Sequence, residues 1–198
     1  MTRNLPAAGS DPAHRLAIEL AANLAGVGPD EVVIGHECAR CGRDDHGRPY
    51  ADAAGVRVQL SVSRASGLVG AAASLDADVG LDLERSDAAG FDDFARVAVH
   101  PDENAPVGAI DATRLWVRKE AVLKALGTGL RLDPRTLRLT SPDGAPAVLG
   151  WPDPRPVSVV DLRDLDVGDG YAGALAVIGG RGAAYTQVAI RNDRSVSV

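Results

Sequence analysis

The order of the predicted elements places this chain in the α+β class. A helix comes first, a β-hairpin and a further strand follow, then helices, and short strands separated by Gly, Pro and Asp turns end the chain. This order differs from the regular β-α-β alternation that builds a parallel sheet. The 198 residues are 45% hydrophobic but only 4% aromatic, so the chain is long enough to bury a core that Ala, Val and Leu must build.

Charge and hydropathy exclude several classes of protein. The net charge of −6 argues against general nucleic-acid binding. Residues 1–15 lack the apolar stretch of a signal peptide, and no apolar run approaches the length of a membrane span. We therefore expect a soluble cytoplasmic protein with reduced thiols that binds neither nucleic acid nor a membrane.

The first helix is predicted at Pro12–Leu24. Asp11 before it is a preferred N-cap residue, and proline suits the first helical position because no hydrogen bond is lost there. Leucines that recur every helical turn supply an apolar face. A short strand is predicted after it, at Glu31–Ile34.

The segment from Cys38 to Tyr50 has turn-forming residues and no apolar periodicity, which predicts a loop. Four nitrogen or sulfur ligands for a zinc ion are available in it or beside it: His36, Cys38, Cys41 and His46. A single CxxC pair without a second pair is a weak indication of metal. The alternative is a Gly/Pro loop that presents Arg48 to an anion, and the residues leave both interpretations open.

Two strands with alternating apolar residues are predicted at Val56–Ser63 and Leu68–Ser74. They form a hairpin whose tip carries three side chains that can donate to an anion, Ser63, Arg64 and Ser66. A solvated tip without a ligand is the alternative interpretation.

The strand predicted at Asp78–Glu84 places Gly80, Asp82 and Glu84 on one face. Two carboxylates side by side on a strand repel each other. They are tolerated when solvated, or required when a hard cation such as Mg²⁺ bridges them. Gly80 beside them would leave room for a ligand to approach the backbone.

A short helix is predicted at Phe91–Val99 and a longer one at Leu115–Leu130. The longer helix carries Lys119 and Lys124, the only two lysines of the chain. Glu120 and Lys124 stand at positions i and i+4, so their side chains share one face and can meet. A surface ion pair, which contributes little to stability, is the simplest interpretation of that spacing.

Four short strands are predicted in the rest of the chain. They are Leu137–Leu139, Pro156–Leu162, Gly173–Ile178 and Tyr185–Ile190. We expect the last two or three of them to pair in an antiparallel arrangement.

Two stretches together resemble the signature motifs of the 4′-phosphopantetheinyl transferases. The run from Val79 to Asp82, followed by Glu84, is similar to the motif written (V/I)G(V/I)D, and the run from Trp116 to Lys124 is similar to (F/W)xxKExxxK. Either motif alone is a weak indication. The two motifs in this order and at this separation are specific.

The resemblance implies the 4′-phosphopantetheinyl transferase fold, with two pseudo-symmetric halves that each hold a small antiparallel sheet and packing helices. The chain length is similar to that of the surfactin-type (Sfp-type) class, whose members are monomers. The halves would be residues 1–76 and 77–198, with the metal site in the second. Family members usually have a further strand and a basic segment before the first helix, so the resemblance implies that the first half is shortened or that residues 1–10 replace these parts.

The likeness covers about residues 11 to 140. Asp11–Arg15 is similar to the family's DAHR segment, and Cys38–Pro49 is similar to the CxxCG…HGxP run of many actinobacterial members. Val62–Gly67 stands where the family has SHS, with Arg64 in place of the histidine that contacts the 3′-phosphate of coenzyme A. Glu103 stands where many members carry a glutamate.

For the chemistry, the resemblance implies that a serine of an apo acyl or peptidyl carrier protein attacks the β-phosphate of coenzyme A. The phosphopantetheine arm moves to the serine, and 3′,5′-ADP leaves. The resemblance assigns Mg²⁺ to Asp82, Glu84 and Glu120, with Glu120 also as the proton acceptor. Lys124 would neutralise charge on the leaving phosphate.

The other contacts to coenzyme A would come from a set of cations and one hydroxyl. The set is Arg15, Arg48, Ser63, Arg64 and Lys124, with Lys119 placed either at the phosphates or at the base of its helix. A catalytically impaired relative that binds a carrier protein or coenzyme A is the alternative function. A structural domain stabilised by zinc is a third.

Overall fold

The computed structural model describes residues 11–38, 41–179 and 186–193. Within these ranges the chain is α+β, as predicted, with helices packed on antiparallel sheets. The α-helices are α1 (Pro12–Ala25), α2 (Phe94–Ala98) and α3 (Gly108–Ala125). The strands are β1 (Val32–Glu37), β2 (Arg48–Ala53), β3 (Val56–Ala65), β4 (Leu68–Ser74), β5 (Asp78–Arg85), β6 (Arg138–Leu139), β7 (Val148–Gly150), β8 (Val160–Leu165), β9 (Tyr171–Ile178) and β10 (Thr186–Asn192).

The first sheet has the strand order β1-β2-β3-β4-β10, and all neighbouring strands are antiparallel. Helix α1 packs on one face, where Leu16 joins a buried cluster with Val58 and Leu60 of β3. The predicted N-cap is confirmed, because the Asp11 carboxylate accepts a hydrogen bond from the Ala13 backbone N–H at 3.1 Å. The predicted hairpin of β3 and β4 is confirmed as well.

The second sheet has the order β5-β9-β8, also antiparallel, and α3 packs against it. Helix α3 ends at a left-handed glycine, Gly127, with φ of 71°. The Gly127 N–H donates to the Lys124 carbonyl at 2.9 Å, and the Thr128 N–H donates to the Leu123 carbonyl at 3.1 Å. This is the Schellman arrangement that ends many helices. Strands β6 and β7 form a separate small pair.

Two serines of β3 connect the sheets. The Ser61 hydroxyl accepts a hydrogen bond from the Leu81 N–H of β5 at 2.9 Å, and the Ser63 hydroxyl accepts one from the Leu83 N–H at 3.0 Å. Strand β5 lies at the edge of its sheet, so these hydroxyls satisfy backbone donors that would otherwise be buried without a partner. The side chains of Leu81 and Leu83 on β5 pack with Leu68 of β4 in an apolar cluster that both sheets share.

Several predicted boundaries were wrong. Residues 48–50 begin β2 rather than lying in a loop, helix α2 is shorter than predicted, and α3 begins at Gly108 and ends at Ala125. The strand predicted at Pro156–Leu162 is β8, Val160–Leu165, and the sequence predicted no strand at β2 or β7. Strand β10 pairs with β4 and not with β9. Tyr185, predicted to start that strand, lies outside the described residues, as do residues 1–10.

The helices of the described residues are all too short or too polar to cross a membrane. The predicted division into halves at residues 76 and 77 stays a prediction. Strand β10 belongs to the second half by its position in sequence but lies in the sheet of the first half.

Candidate active site

Asp82 occupies the centre of the candidate site. It lies on β5, is 4% exposed, and accepts hydrogen bonds through Oδ1 from Lys124 Nζ at 2.7 Å and from Ser63 Oγ at 3.1 Å. Its other oxygen, Oδ2, is buried and has no hydrogen-bond partner among the described residues. Burial raises the pKa of Asp82, although the charge of Lys124 and its hydrogen bond act in the opposite direction.

Lys124 reaches Asp82 because α3 lies very close to β5. A Cβ at Gly80 would overlap the carbonyl oxygen of Ala121 and lie 2.5 Å from the Ala125 nitrogen. Gly80 therefore permits helix–strand contact. This corrects the expectation that it leaves room for a ligand.

The predicted ion pair within α3 is not the one that forms. Lys124 Nζ donates to Asp82, to the Leu81 carbonyl at 3.1 Å and to Ser63 Oγ at 3.3 Å. The ammonium thus pairs with β5 rather than with Glu120 in the described structure. With 28% of its side chain exposed, Lys124 is also reachable from solvent.

Glu120 and Glu84 complete a group of three acids with Asp82. Glu120 is 8% exposed, and burial raises its pKa to about 7, with a further increase from the negative charges of Asp82 and Glu84. Burial, and then the charge of Asp82, raise the pKa of half-buried Glu84. Each carboxylate therefore makes ionisation of its neighbours less favourable.

Asp82, Glu84 and Glu120 carry the carboxylate oxygens that a hard divalent cation prefers. These oxygens lie further apart than the ligand atoms around a bound metal ion. Among the described residues, the side chains whose ligand atoms all lie within 4.8 Å of one another are Cys38, Cys41 and His46, not the three acids. The unpartnered Oδ2 of Asp82 is a ready ligand atom, so Asp82, Glu84 and Glu120 could hold Mg²⁺.

A cavity of about 310 Å³ opens beside Lys124. The end of the β1–β2 loop, the middle of β3 and the turn after α3 form its walls. Its polar lining residues are Arg48, Ser61, Lys124, Thr128 and Arg131. Three of these are cations and none is an acid, although Arg48 and Lys124 also pair with Asp78 and Asp82 outside the lining; we call this the basic cavity. Such a pocket suits an anionic ligand.

Arg48 holds one wall of the cavity in place. Its Nη1 donates to Asp78 Oδ1 at 2.6 Å, and its Nη2 donates to the carbonyl of Ala125 at the C-terminal end of α3. A cation is favourable there because the helix dipole is negative at that end. The Nε atom is buried without a hydrogen-bond partner among the described residues, so Arg48 retains one unused donor.

Arg64 and Arg15 lie apart from the cavity, since neither belongs to its lining. The Arg64 guanidinium pairs with the Asp11 carboxylate, which also caps α1. Arg15 is exposed one turn further along the same helix. The structure therefore does not bring these two predicted ligands to Lys124.

The burial of Lys119 argues against its predicted role as a coenzyme A ligand and agrees with the alternative place at the base of its helix. Its side chain is 0% exposed and its ammonium donates to Glu103 Oε2 at 2.7 Å. The carbonyls of Leu137 and Pro134 accept from the same group at 2.8 and 3.3 Å. Burial lowers the pKa of Lys119, against the effect of Glu103. This lysine ties α3 to the segment that follows it.

The sequence prediction missed three polar residues of the cavity lining, Ser61, Thr128 and Arg131. Ser61 stands two positions before Ser63 on the same strand, so the period-2 rule for strands places both hydroxyls on one face. Arg131 lies in the turn after α3, where Gly127 and Gly129 were interpreted only as stop residues. Its position in the cavity depends on how that turn folds back.

The described fold has a partial likeness among solved structures. The chain is similar to the holo-[acyl-carrier-protein] synthase of Thermotoga maritima, with 22% identity and a TM-score of 0.42. The match covers 54% of this chain and 65% of that chain, which is less than two thirds of its length. We draw no functional conclusion from a likeness at this level. No curated protein matches the chain.

A family comparison covers the part of the chain that builds the group of acids. Residues 78–176, half of the chain, match the sequence pattern of the 4′-phosphopantetheinyl transferase superfamily. This stretch contains Asp82, Glu84, Glu120 and Lys124. The chain therefore belongs to the 4′-phosphopantetheinyl transferase superfamily.

Proposed function

We propose that this protein transfers the 4′-phosphopantetheine arm of coenzyme A to a serine of an apo acyl or peptidyl carrier protein. The observation that carries the proposal is the buried, unpartnered Oδ2 of Asp82, a carboxylate that binds Lys124 of the cavity wall through Oδ1 and that, in addition to burial, raises the pKa of Glu84 and Glu120 by its charge. A cation and a polyphosphate are the ligands that such a combination accommodates. We further propose that the protein acts as a cytoplasmic monomer of the surfactin-type class.

The proposed reaction is a displacement at phosphorus. The serine oxygen forms a bond to the β-phosphorus of coenzyme A, and the bond from that phosphorus to the oxygen bridging to the α-phosphate breaks. The electron pair leaves with 3′,5′-ADP, and the serine proton passes to Glu120. Positioning and charge stabilisation dominate this kind of chemistry. Lys124 would stabilise charge on the departing phosphate, because its ammonium lines the cavity.

The metal would be held by Asp82, Glu84 and Glu120. When bound there, Mg²⁺ supplies a Lewis acid for the pyrophosphate oxygens. In the metal-free protein burial and the neighbouring acids raise the pKa of Glu120 to about 7; a bound cation would favour the ionised carboxylate, which is the form that accepts a proton. Ser63 contributes by fixing the orientation of the Asp82 carboxylate.

The basic cavity is the proposed site for the phosphates of coenzyme A. Arg48, Lys124 and Arg131 line it, and guanidinium groups match phosphate geometry well. This differs from the set predicted from sequence, because Arg15, Ser63, Arg64 and Lys119 lie outside the lining. Arg15 and Arg64 remain proposed ligands only for parts of coenzyme A that extend beyond the cavity.

A mass measurement tests the proposal. The protein, coenzyme A and Mg²⁺ are incubated with an apo fatty-acid, polyketide or nonribosomal-peptide carrier, and intact mass spectrometry follows each carrier. We expect one carrier to gain the mass of a single phosphopantetheine arm, and to gain nothing when Mg²⁺ is removed by a chelator. No gain on any carrier would refute the transferase activity.

A non-catalytic relative is the second candidate. The observation that favours it is the ion pair between Lys124 and Asp82, together with three acids whose oxygens are not all within 4.8 Å of one another. The same assay separates the two functions. A carrier that binds the protein during gel filtration but keeps its apo mass would identify a binding module.

A further inference from the structure

The loop between β1 and β2 brings together three ligands that the proposed transfer chemistry does not use. The ligand atoms of Cys38, Cys41 and His46 all lie within 4.8 Å of one another. Cys41 Sγ is 3.5 Å from His46 Nε2. In tetrahedral zinc sites, bonds of about 2.3 Å to sulfur and about 2.0 Å to nitrogen place these two ligand atoms about 3.5 Å apart. The spacing of Cys41 Sγ and His46 Nε2 agrees with that of two zinc ligands, although a hydrogen bond between thiol and imidazole has the same length.

Asp45 adds an independent indication. Its Oδ1 lies 2.6 Å from His46 Nδ1, while the opposite ring nitrogen, Nε2, faces Cys41. Histidines that bind a metal usually donate their other ring N–H to a carboxylate, which fixes the orientation of the ring. The carboxylate of Asp45, the imidazole of His46 and the thiol of Cys41 thus follow one another in the order that is usual around a metal-bound histidine.

The backbone of the loop supports the same geometry. The Gly42 N–H donates to the Cys38 carbonyl at 2.8 Å, and the Cys38 N–H donates to the Arg43 carbonyl at 3.0 Å. Gly42 has φ of 67°, which favours glycine. Gly47 closes the loop, since a Cβ there would overlap the Glu37 carbonyl oxygen. The chain therefore turns back tightly enough for His46 to meet both cysteines.

We propose that Cys38, Cys41 and His46 bind one zinc ion through two thiolates and a neutral imidazole, with the fourth position open to water. Thiolate ligands select zinc over Mg²⁺, so this site and the group of acids around Asp82 would take different metals. Cys41 and His46 are exposed, which leaves the fourth position accessible.

The proposed ion has a structural consequence for the cavity. The loop ends at Gly47, and residues 47–49 form one wall of the cavity beside Lys124. Among the described residues of the loop, Cys38 is buried and residues 41–47 are exposed, so burial anchors this part of the loop only weakly. Zinc would therefore hold this wall in position, and its removal would loosen the loop without removing any residue from the acid group.

Metal analysis of the full chain, purified without a metal-binding tag, tests the proposal. We expect one zinc per chain, and we expect Co²⁺ added to the zinc-free protein to give thiolate-to-cobalt charge-transfer bands. Cys41→Ser and His46→Ala should lose both properties. His36→Ala is the matched control, because His36 lies on β1 beside the loop but outside the ligand group, and it should retain both. Asp45→Asn should weaken zinc binding by roughly 10–100-fold.

A second measurement follows the loop itself. Trypsin cleavage after the exposed Arg43 should be slower in the zinc-bound protein than in the protein treated with a chelator, and His46→Ala should be cleaved at the faster rate under both conditions. The proposal is wrong if the wild-type protein takes up neither zinc nor Co²⁺. It is also wrong if the reduced protein forms a Cys38–Cys41 disulfide in air while zinc is present in excess, or if Cys41→Ser and His46→Ala bind zinc as tightly as the wild type.

Discussion

At the residue scale, Asp82 is the group on which the proposed chemistry most depends. Asp82→Asn should lower transfer activity by about 100-fold or more, because an amide cannot supply the charge that holds a cation against the pyrophosphate. The fold should survive, since Lys124 is partly exposed and water can replace its lost counter-charge. Mass gain of the carrier measures activity, and circular dichroism checks the fold.

The matched control for this change is Asp87→Asn, an exposed acid two residues beyond the end of β5. It should retain the activity of the wild type. Substantial transfer by Asp82→Asn at saturating Mg²⁺ would remove Asp82 from the metal site.

Glu120 gives a prediction about pH. Its pKa is raised from 4.5 to about 7 in the folded protein, so between these values the folded state binds more protons than the unfolded state. The free energy of unfolding should therefore fall as pH rises through this window. A shift of this size corresponds to about 3 kcal/mol. Glu120→Gln lacks the titrating group, so without metal it should gain stability relative to the wild type between pH 5 and pH 8.

Urea unfolding at pH 5 and at pH 8 measures the difference in free energy of unfolding between Glu120→Gln and the wild type. Mg²⁺ should stabilise the wild type at pH 8 more than it stabilises Glu120→Gln, because the ionised carboxylate is a ligand. The exposed Glu37→Gln serves as the control and should follow the wild type. If the free energies of unfolding of Glu120→Gln and the wild type change with pH in the same way, the pKa of Glu120 is not raised.

At the scale of the element, helix α3 carries two lysines with different roles. Lys119→Met should lower the free energy of unfolding by about 3–5 kcal/mol, because it leaves the buried Glu103 carboxylate without its counter-charge. Lys124→Met should cost less stability, since 28% of that side chain is exposed and water can replace it, but it should lose transfer activity. Urea unfolding and the carrier assay measure the two effects.

A second substitution distinguishes the loss of the counter-charge of Glu103 from a general disruption of helix α3. Adding Glu103→Gln to Lys119→Met should recover part of the lost stability. If Lys119→Met instead unfolds no more easily than the wild type, the Lys119–Glu103 pair is not a stabilising contact of α3.

The contact between α3 and β5 gives another prediction at this scale. Gly80→Ala should destabilise the protein by about 1–3 kcal/mol or more, because overpacking forces the helix backbone away from the strand. Lys124 would then move away from Asp82, so activity should fall as well. Gly150→Ala is the matched control in a strand, where the added Cβ would lie 3.7 Å from its nearest neighbour, Arg138 Cβ. Equal melting temperatures for the two variants would contradict this account.

The local elements could largely be predicted from the sequence, whereas their contacts could not. Alternation of apolar residues identified the β3–β4 hairpin and β5, because local patterns carry that information. Residues 48–50 were missed because Gly-Arg-Pro is typical of a turn. The i,i+4 rule predicted that Lys124 would meet Glu120, but a buried acid on β5 competes better for the ammonium. The role of Gly80 was predicted wrongly because it depends on a tertiary contact. Only the packing of α3 on β5 shows that a Cβ at Gly80 would overlap the helix backbone.

At the scale of the whole molecule, the final strand joins the two predicted halves. β10 pairs with β4 from Thr186 opposite Ser74 to Asn192 opposite Leu68. The serine hydrogen bonds to β5 and the apolar cluster between the sheets cross the same boundary. Contacts between distant parts of a chain are not visible in local patterns. The partner of β10 could therefore not be derived from its own sequence.

These connections predict that the protein unfolds as one cooperative unit. Trp116 and Trp151, the two tryptophans, both lie in residues 77–198, so their fluorescence follows the second half, while far-ultraviolet circular dichroism follows both sheets. The two urea transitions should coincide. A chain that ends at residue 185 lacks β10, and comparison with a chain that ends at Asp193 isolates its contribution. Without β10, both midpoints should fall together. A fall in the dichroism midpoint alone would show that the halves unfold independently.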